Sequence, residues 1–292
     1  MGEIVGAALC AHVPTIVLPQ EIRYELNDGK EISLVPGLHR LREEYLAPLK
    51  PDVIIVLDSH WFTTVETVVT SADRRQGFFT SSELPRGMSS MPYDMPGDRE
   101  LAEAIAAEAD DIDECWISAI DNEHLHPEYA TINMLPFLQG DEAWLSVSSV
   151  QTGDPLDFHN VGLAIGRAVA KLDRRVVLIA SGAMSHTFWS LRELRKHEAS
   201  DPSHVTPPGA VEADHKVLDA WYRGDHASVI DNMPAYSAFR PEARFAHYLS
   251  MVAAIGGRDC RAVGRPFSDY ENSIGTAQIH VAFDRPADGW TH

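Results

Sequence analysis

The chain has 292 residues, 45% of them hydrophobic, 23% charged and 8% aromatic, a balance that supports a packed core and excludes an intrinsically disordered chain. Its 43 Asp and Glu against 24 Lys and Arg give a formal charge of -19, so the mean field repels nucleic acid and anionic lipid. A small anionic substrate would have to be met by a local cationic pocket.

Three cysteines, Cys10, Cys115 and Cys260, are odd in number and widely spaced, which fits neither a disulfide framework nor a zinc-finger pattern. They read as free thiols of a reducing cytoplasm. The first residues, MGEIVGAALCAHVP, lack a basic region, and their apolar run is broken by His12 and Pro14, too short for a signal peptide or a membrane span.

In chain order, residues 4–10 form an apolar run that predicts a strand buried on two faces, and AHVP follows it with His12. Residues 53–57 (VIIVL) predict a second such strand, followed by DSHW with His60. Residues 73–97 are rich in Ser, Pro, Gly and Met and read as an irregular functional loop. Residues 144–150 and 176–180 predict further strands. Apolar spacing at Phe158, Val161, Ile165, Val169 and Leu172, and at Val211, His215, Leu218 and Trp221, predicts helices. A break over residues 198–209 carries three prolines and precedes the second of these. Strands alternating with helices give an α/β fold: a single domain over residues 1–292, with a central mixed sheet flanked by helices on both faces. No internal repeat or composition shift divides it.

Ligand sites of such sheets gather beyond the carboxyl ends of strands, so His12 and His60, each just past one, can share a metal. Neutral imidazole is the commonest protein ligand for transition metals, although each residue alone also reads as a loop histidine bonded to backbone. A carboxylate ligand leaves no local signature. Glu242 follows Pro241 at the start of a helical pattern (Phe245, Leu249, Val252), where a first-turn acid also serves the helix dipole. It is the one acid between Asp231 and Arg258. Two histidines and one carboxylate would leave three coordination positions open, as in the facial triad of non-haem Fe(II) oxygenases.

Several segments carry a resemblance: HVP after the first strand, VIIVLDSHW, FTSSELP at 79–85, PEYAT at 127–131, VLIASGAMSH at 177–186, and IGTAQIHVAF near the C-terminus. Over nearly its whole length the chain resembles the class III extradiol dioxygenases, the LigB-like family. Within it, the chain looks closest to the homoprotocatechuate (3,4-dihydroxyphenylacetate) 2,3-dioxygenase branch. With its acidic charge and free thiols, the chain reads as a soluble cytoplasmic homo-oligomer that binds neither nucleic acid nor membrane. The resemblance implies Fe(II) held by His12, His60 and Glu242, a catechol substrate, dioxygen, and a yellow muconic semialdehyde product. It also implies two proton-transfer histidines, His186 and, in HLHPEYAT, His126, with His124 two residues away as the alternative. Either of the latter also reads as a solvated histidine beside Glu123 or Glu128.

The chemistry suits that residue count. A catechol binds through two adjacent oxygens and dioxygen takes a third position, so the protein can supply only three ligands. One carboxylate leaves a formal charge of +1, which favours the catechol as an anion, and a neutral histidine can accept its proton. A substrate carboxylate would call for Arg86, Arg240 or Arg244. Other readings are an aminophenol-cleaving or hydrolytic zinc enzyme on the same scaffold, or a metal-free interaction protein, against which the joint presence of His12, His60, Glu242 and His186 counts. His215 and His280 read as structural, and His39, His159, His197, His204, His226, His247 and His292 show no ligand pattern. Cys10 reads as a buried thiol.

Overall fold

The computed structural model describes residues 2–122 and 124–291; Met1, Glu123 and His292 lie outside the described residues. Twelve strands are present among them: β1 (Glu3–Cys10), β2 (Val53–Thr63), β3 (Thr67–Thr70), β4 (Arg74–Phe79), β5 (Met91–Pro96), β6 (Ile117–Ile120), β7 (Ala143–Val150), β8 (Arg175–Ser181), β9 (Val263–Pro266), β10 (Glu271–Ser273), β11 (Thr276–Gln278) and β12 (Val281–Asp284). Eight of them form one sheet in the order β6-β3-β7-β2-β8-β1-β12-β9. The four central strands run parallel. β3 and β12 are antiparallel to the strands that flank the centre, so the sheet is mixed, and it is covered on both faces as the alternation of strands and helices predicts.

Side chains of successive strand residues point to opposite faces, and the two faces bury different sets. Val53, Ile55 and Leu57 join Leu145, Leu178 and Ala180 in a layer with the helices Arg99–Ala109, Pro155–Lys171, Ala210–Tyr222 and Ala246–Ala254. Ile54 and Val56 join Trp144, Val177 and Ile179 in the other, under the helix Leu34–Arg40 and the short turns around residues 129–138. The helices 155–171 and 246–254 touch through Gly162. A Cβ there would lie 2.3 Å from the Ser250 carbonyl oxygen and 2.5 Å from the Ala253 Cβ, so only glycine permits this approach.

The parallel register brings Cys10, Ser181 and Asp58 level with one another at the carboxyl edge of β1, β8 and β2. His12 and His60 each lie two residues further on, and His186 five.

Four expectations are corrected. β2 does not stop at Leu57. It runs to Thr63, and its pairing with β7 is interrupted between Leu57 and Phe62, so His60 lies in an irregular stretch within the strand. The segment 73–97 is largely a hairpin of β4 and β5, whose long-range register no local pattern reveals, and only its tip is irregular. His215 is exposed; Asp214, not His215, takes a buried place on that helix. Glu242 does not open a regular helix. It starts a 3-10 turn in which Ala243, Arg244 and Phe245 have φ of 46°, 56° and 67°, and the helix begins at Ala246.

Candidate metal centre

DSHW builds its own bulge. Asp58 is fully buried, and one of its carboxylate oxygens accepts the backbone N–H groups of His60 (2.9 Å) and Trp61 (3.0 Å). This Asx-type turn lifts the chain out of the ladder at the point where β2 and β7 lose register. The other oxygen accepts the Thr131 hydroxyl at 2.7 Å, tying the PEYAT segment to the same corner. His12 is fixed similarly: Asn133 Nδ2 donates to its carbonyl at 2.7 Å, and the N–H of Ala11 donates to His280 Nδ1 at 3.1 Å.

The two rings are pinned through one nitrogen each. His12 Nδ1 lies 3.0 Å from Ser181 Oγ, whose own proton goes to the Ala130 carbonyl, so Nδ1 is the donor and Nε2 carries the lone pair. His60 Nδ1 lies 2.8 Å from Glu83 Oε1 at the hairpin tip, a carboxylate–histidine pair of the kind that orients metal-binding imidazoles. Both Nε2 atoms face Glu242, whose Oε1 lies 3.4 Å from that of His12 and 2.8 Å from that of His60. Although 2.8 Å from Glu242 Oε1, the shielded His60 Nε2 makes no hydrogen bond. A buried nitrogen left unpaired in this way is costly, and a cation between the three groups would satisfy it.

Glu242 is itself held. Its Oε1 accepts Ser59 Oγ at 3.0 Å and its Oε2 accepts the N–H of Ala183. Its own N–H donates to Met184 O at 3.1 Å, and Pro241 bridges to Ser185. Burial would raise the Glu242 pKa, but His12 and His186 hold it well below the usual carboxylate range. Burial opposes a charge on His60, yet Glu242 and Glu83 raise its pKa to about 10. The centre therefore favours a positive charge between its groups, which a metal ion supplies in place of protons. Among the described residues, His12, His60 and Glu242 offer one ligand atom each within 4.8 Å of one another; two nitrogens and one oxygen form the donor set of a facial triad.

His186 lies on the wall of the adjoining cavity, with burial lowering its pKa. It is positioned through Ser185, whose N–H and hydroxyl donate to Asp214; Tyr236 and Tyr270 donate to the same carboxylate at 2.7 and 2.6 Å. At Gly182, a Cβ would lie 2.4 Å from the His247 ring, so the bend after β8 needs glycine. Tyr129 also lines the cavity. Its ring centroid is 3.8 Å from that of His60 and 5.1 Å from that of His12, and burial keeps its phenol protonated.

His126 is not brought to this cavity. It is exposed, with Nδ1 3.2 Å from Tyr93 Oη, and His124 is exposed as well. Glu83, Tyr129, Ser181 and Asp214 were not singled out from the sequence. Glu83, Tyr129 and Ser181 had a signal, lying in FTSSELP, PEYAT and VLIASGAMSH; Asp214 depends on contacts between distant segments.

Fold and site together define an α/β domain with a two-histidine, one-carboxylate cluster that could hold a metal ion, beyond the carboxyl edge of its sheet, and an adjoining cavity of about 170 Å³. The model of the family described as the catalytic LigB subunit of aromatic ring-opening dioxygenase matches residues 6–283, and the chain belongs to that family. It is 28% identical over 242 residues to a 3,4-dihydroxyphenylacetate 2,3-dioxygenase of Escherichia coli, covering 82% of this chain and 85% of the relative. It is 26% identical over 250 residues to a 2-aminophenol 1,6-dioxygenase beta subunit of Pseudomonas sp, covering 80% and 79%. A solved structure of an uncharacterized protein from Escherichia coli K12 shares the fold, with a TM-score of 0.63, 16% identity, and coverage of 95% of this chain and 99% of that one. The three cysteines are free and buried, and no helix among the described residues is long and apolar enough to cross a membrane.

Proposed function

We propose that this chain is an Fe(II)-dependent extradiol dioxygenase that opens a catechol-type ring beside its two hydroxyls, giving a muconic semialdehyde. The convergence of His12 Nε2, His60 Nε2 and a Glu242 carboxylate oxygen, with both imidazole tautomers fixed from behind, carries the reading. Bound there, Fe(II) supplies open positions for the two catechol oxygens and dioxygen. The residues do the rest. His186, kept neutral by burial, accepts a hydroxyl proton of the catechol and returns it as the ring opens. Tyr129 keeps its proton and could donate a hydrogen bond to a substrate oxygen in the cavity it lines. Val13, Leu84 and Ile274 give the ring an apolar seat. Both atoms of dioxygen enter the product, so no outside reductant is consumed.

We read residues 1–292 as one catalytic unit, working in the cytoplasm as a homo-oligomer; free buried thiols suit a reducing compartment. 3,4-Dihydroxyphenylacetate is the reference substrate, being named for one relative. 2-Aminophenol is the second reading, because another relative is named for it. Anaerobic loading with Fe(II), followed by oxygen uptake and absorbance with a panel of catechols and aminophenols, tests the proposal. Expected are about one iron per chain, as one triad implies, and one dioxygen consumed per yellow product. Turnover supported by zinc and not by iron would refute it, and faster cleavage of 2-aminophenol than of any catechol would select the second reading.

A further inference from the structure

The walls of the 170 Å³ cavity divide by chemistry. Around the three donors they carry carboxylates, including Glu83. The rest of the lining includes apolar Leu84, Phe188 and Ile274 and the neutral polar residues Ser273, Thr276 and Gln278. The polar end is internally bonded: Gln278 Nε2 donates to Thr276 Oγ1 at 2.7 Å, and Thr276 Oγ1 donates to the Ser273 carbonyl at 2.8 Å. The Thr276 proton and one Gln278 amide proton are thus used within the wall. Among the described residues, no Lys or Arg side chain lines the cavity. None of the arginines considered from sequence contributes its side chain to this lining, although the Arg240 carbonyl accepts the N–H of His186 at 3.1 Å. Arg86 and Arg240 are exposed, and Arg244 donates to the Thr152 carbonyl at 2.7 Å beside Gly153.

We infer that the ring substituent of the substrate carries no negative charge, an inference that rests on the ring-cleavage reading above. An anionic substituent in this cavity would exchange water for walls that hold two carboxylates, Glu83 and Glu242, and no Lys or Arg to pair it. It would also approach through the field of a chain of net charge -19, past Glu83, which is 55% exposed. A neutral substituent meets neither obstacle, and the Ser273 hydroxyl and remaining Gln278 amide proton can serve it. The resemblance to enzymes of a carboxylated catechol therefore does not extend to the wall that meets the substituent.

The test is a matched pair, 3,4-dihydroxyphenylacetate and its primary amide, which share ring and length and differ in charge. With the Fe(II)-loaded enzyme, kcat/KM for the amide should exceed that for the acid by about tenfold or more, and the gap should narrow as ionic strength rises. Ser273→Arg should shift the preference toward the acid. Equal or better use of the acid by the natural chain overturns the inference and leaves ring cleavage standing. If neither compound is cleaved, the ring-cleavage reading fails instead. Anaerobic calorimetric titration of the same pair then still decides the substituent: tighter amide supports the inference, and tighter or equal acid overturns it.

Discussion

His12 and His60 divide their ring nitrogens in the same way, one to the protein and one to the centre. The partners differ: Ser181 is a neutral hydroxyl on a core strand, whereas Glu83 is a carboxylate on the tip of a hairpin. His186 shares the cavity but lies outside the ligand group, so the loads on these residues can be separated. In His12→Ala, His60→Ala and Glu242→Ala two donors remain, and both bound iron and activity should be lost. His186→Phe should keep near-normal iron while kcat falls by roughly 10²- to 10⁴-fold, the range of a lost general acid or base. Because His126 faces solvent beside Tyr93, His126→Ala should change kcat by less than about tenfold. Elemental analysis and kcat on the five variants check this, and loss of metal in His186→Phe with retention in Glu242→Ala would reverse the assignment.

At the scale of elements, the centre depends on two bends that approach each other, residues 181–186 after β8 and residues 240–245 before the last long helix. Arg240, Ala243, Arg244 and Phe245 all have positive φ, and such strain, roughly 1–3 kcal/mol per residue, persists only where the surroundings enforce it. Here the enforcing contacts are the bond from Glu242 N–H to Met184 O and the Ser185–Pro241 bridge. Gly182→Ala tests the fit of the two bends. The added methyl meets the His247 ring, so stability should fall by about 1–3 kcal/mol, with weaker iron retention as Ala183 N–H moves from Glu242. Urea titration with iron analysis reads both, and an unchanged midpoint would show that the bends have slack. The four central strands, the helices Pro155–Lys171 and Ala210–Tyr222 and the place of His12 just past β1 were legible because they follow from apolar runs and apolar spacing, whereas the continuation of β2 past His60 was not. The turn at Glu242 was not: PEARF fits a helix start locally, and only contacts with residues 183–185 hold it otherwise. The hairpin was hidden for the same reason, since the pairing of Arg75 with Met95 and Gly77 with Tyr93 leaves no mark in either segment alone.

For the whole molecule, buried neutral histidines set the response to acid. His280 accepts from Ala11 and bonds the Leu34 carbonyl, and burial lowers its pKa from 6.5 to about 3. His226 lies between Tyr248 and the Ala262 carbonyl with its pKa also lowered by burial. A lowered folded pKa means that, below the ordinary value of 6.5, the unfolded chain takes up protons that the fold refuses. Stability should be flat in this respect above that pH and fall beneath it, by about 1.4 kcal/mol per pH unit for each such group. Urea midpoints across this range, compared with those of His280→Gln, measure the share of one histidine; an identical slope in the variant would refute the assignment.

The order of the centre's residues along the chain has a consequence for biosynthesis. His12 and His60 leave the ribosome early, whereas Glu242 and the β10–β11 wall of the cavity follow after most of the protein has been made. A nascent chain thus exposes two imidazoles that can catch a metal without the carboxylate that completes the set. Iron retained by ribosome-bound chains stalled at increasing lengths should therefore be weak and exchangeable until Glu242 has emerged, and become tight only when the last strands are free to fold.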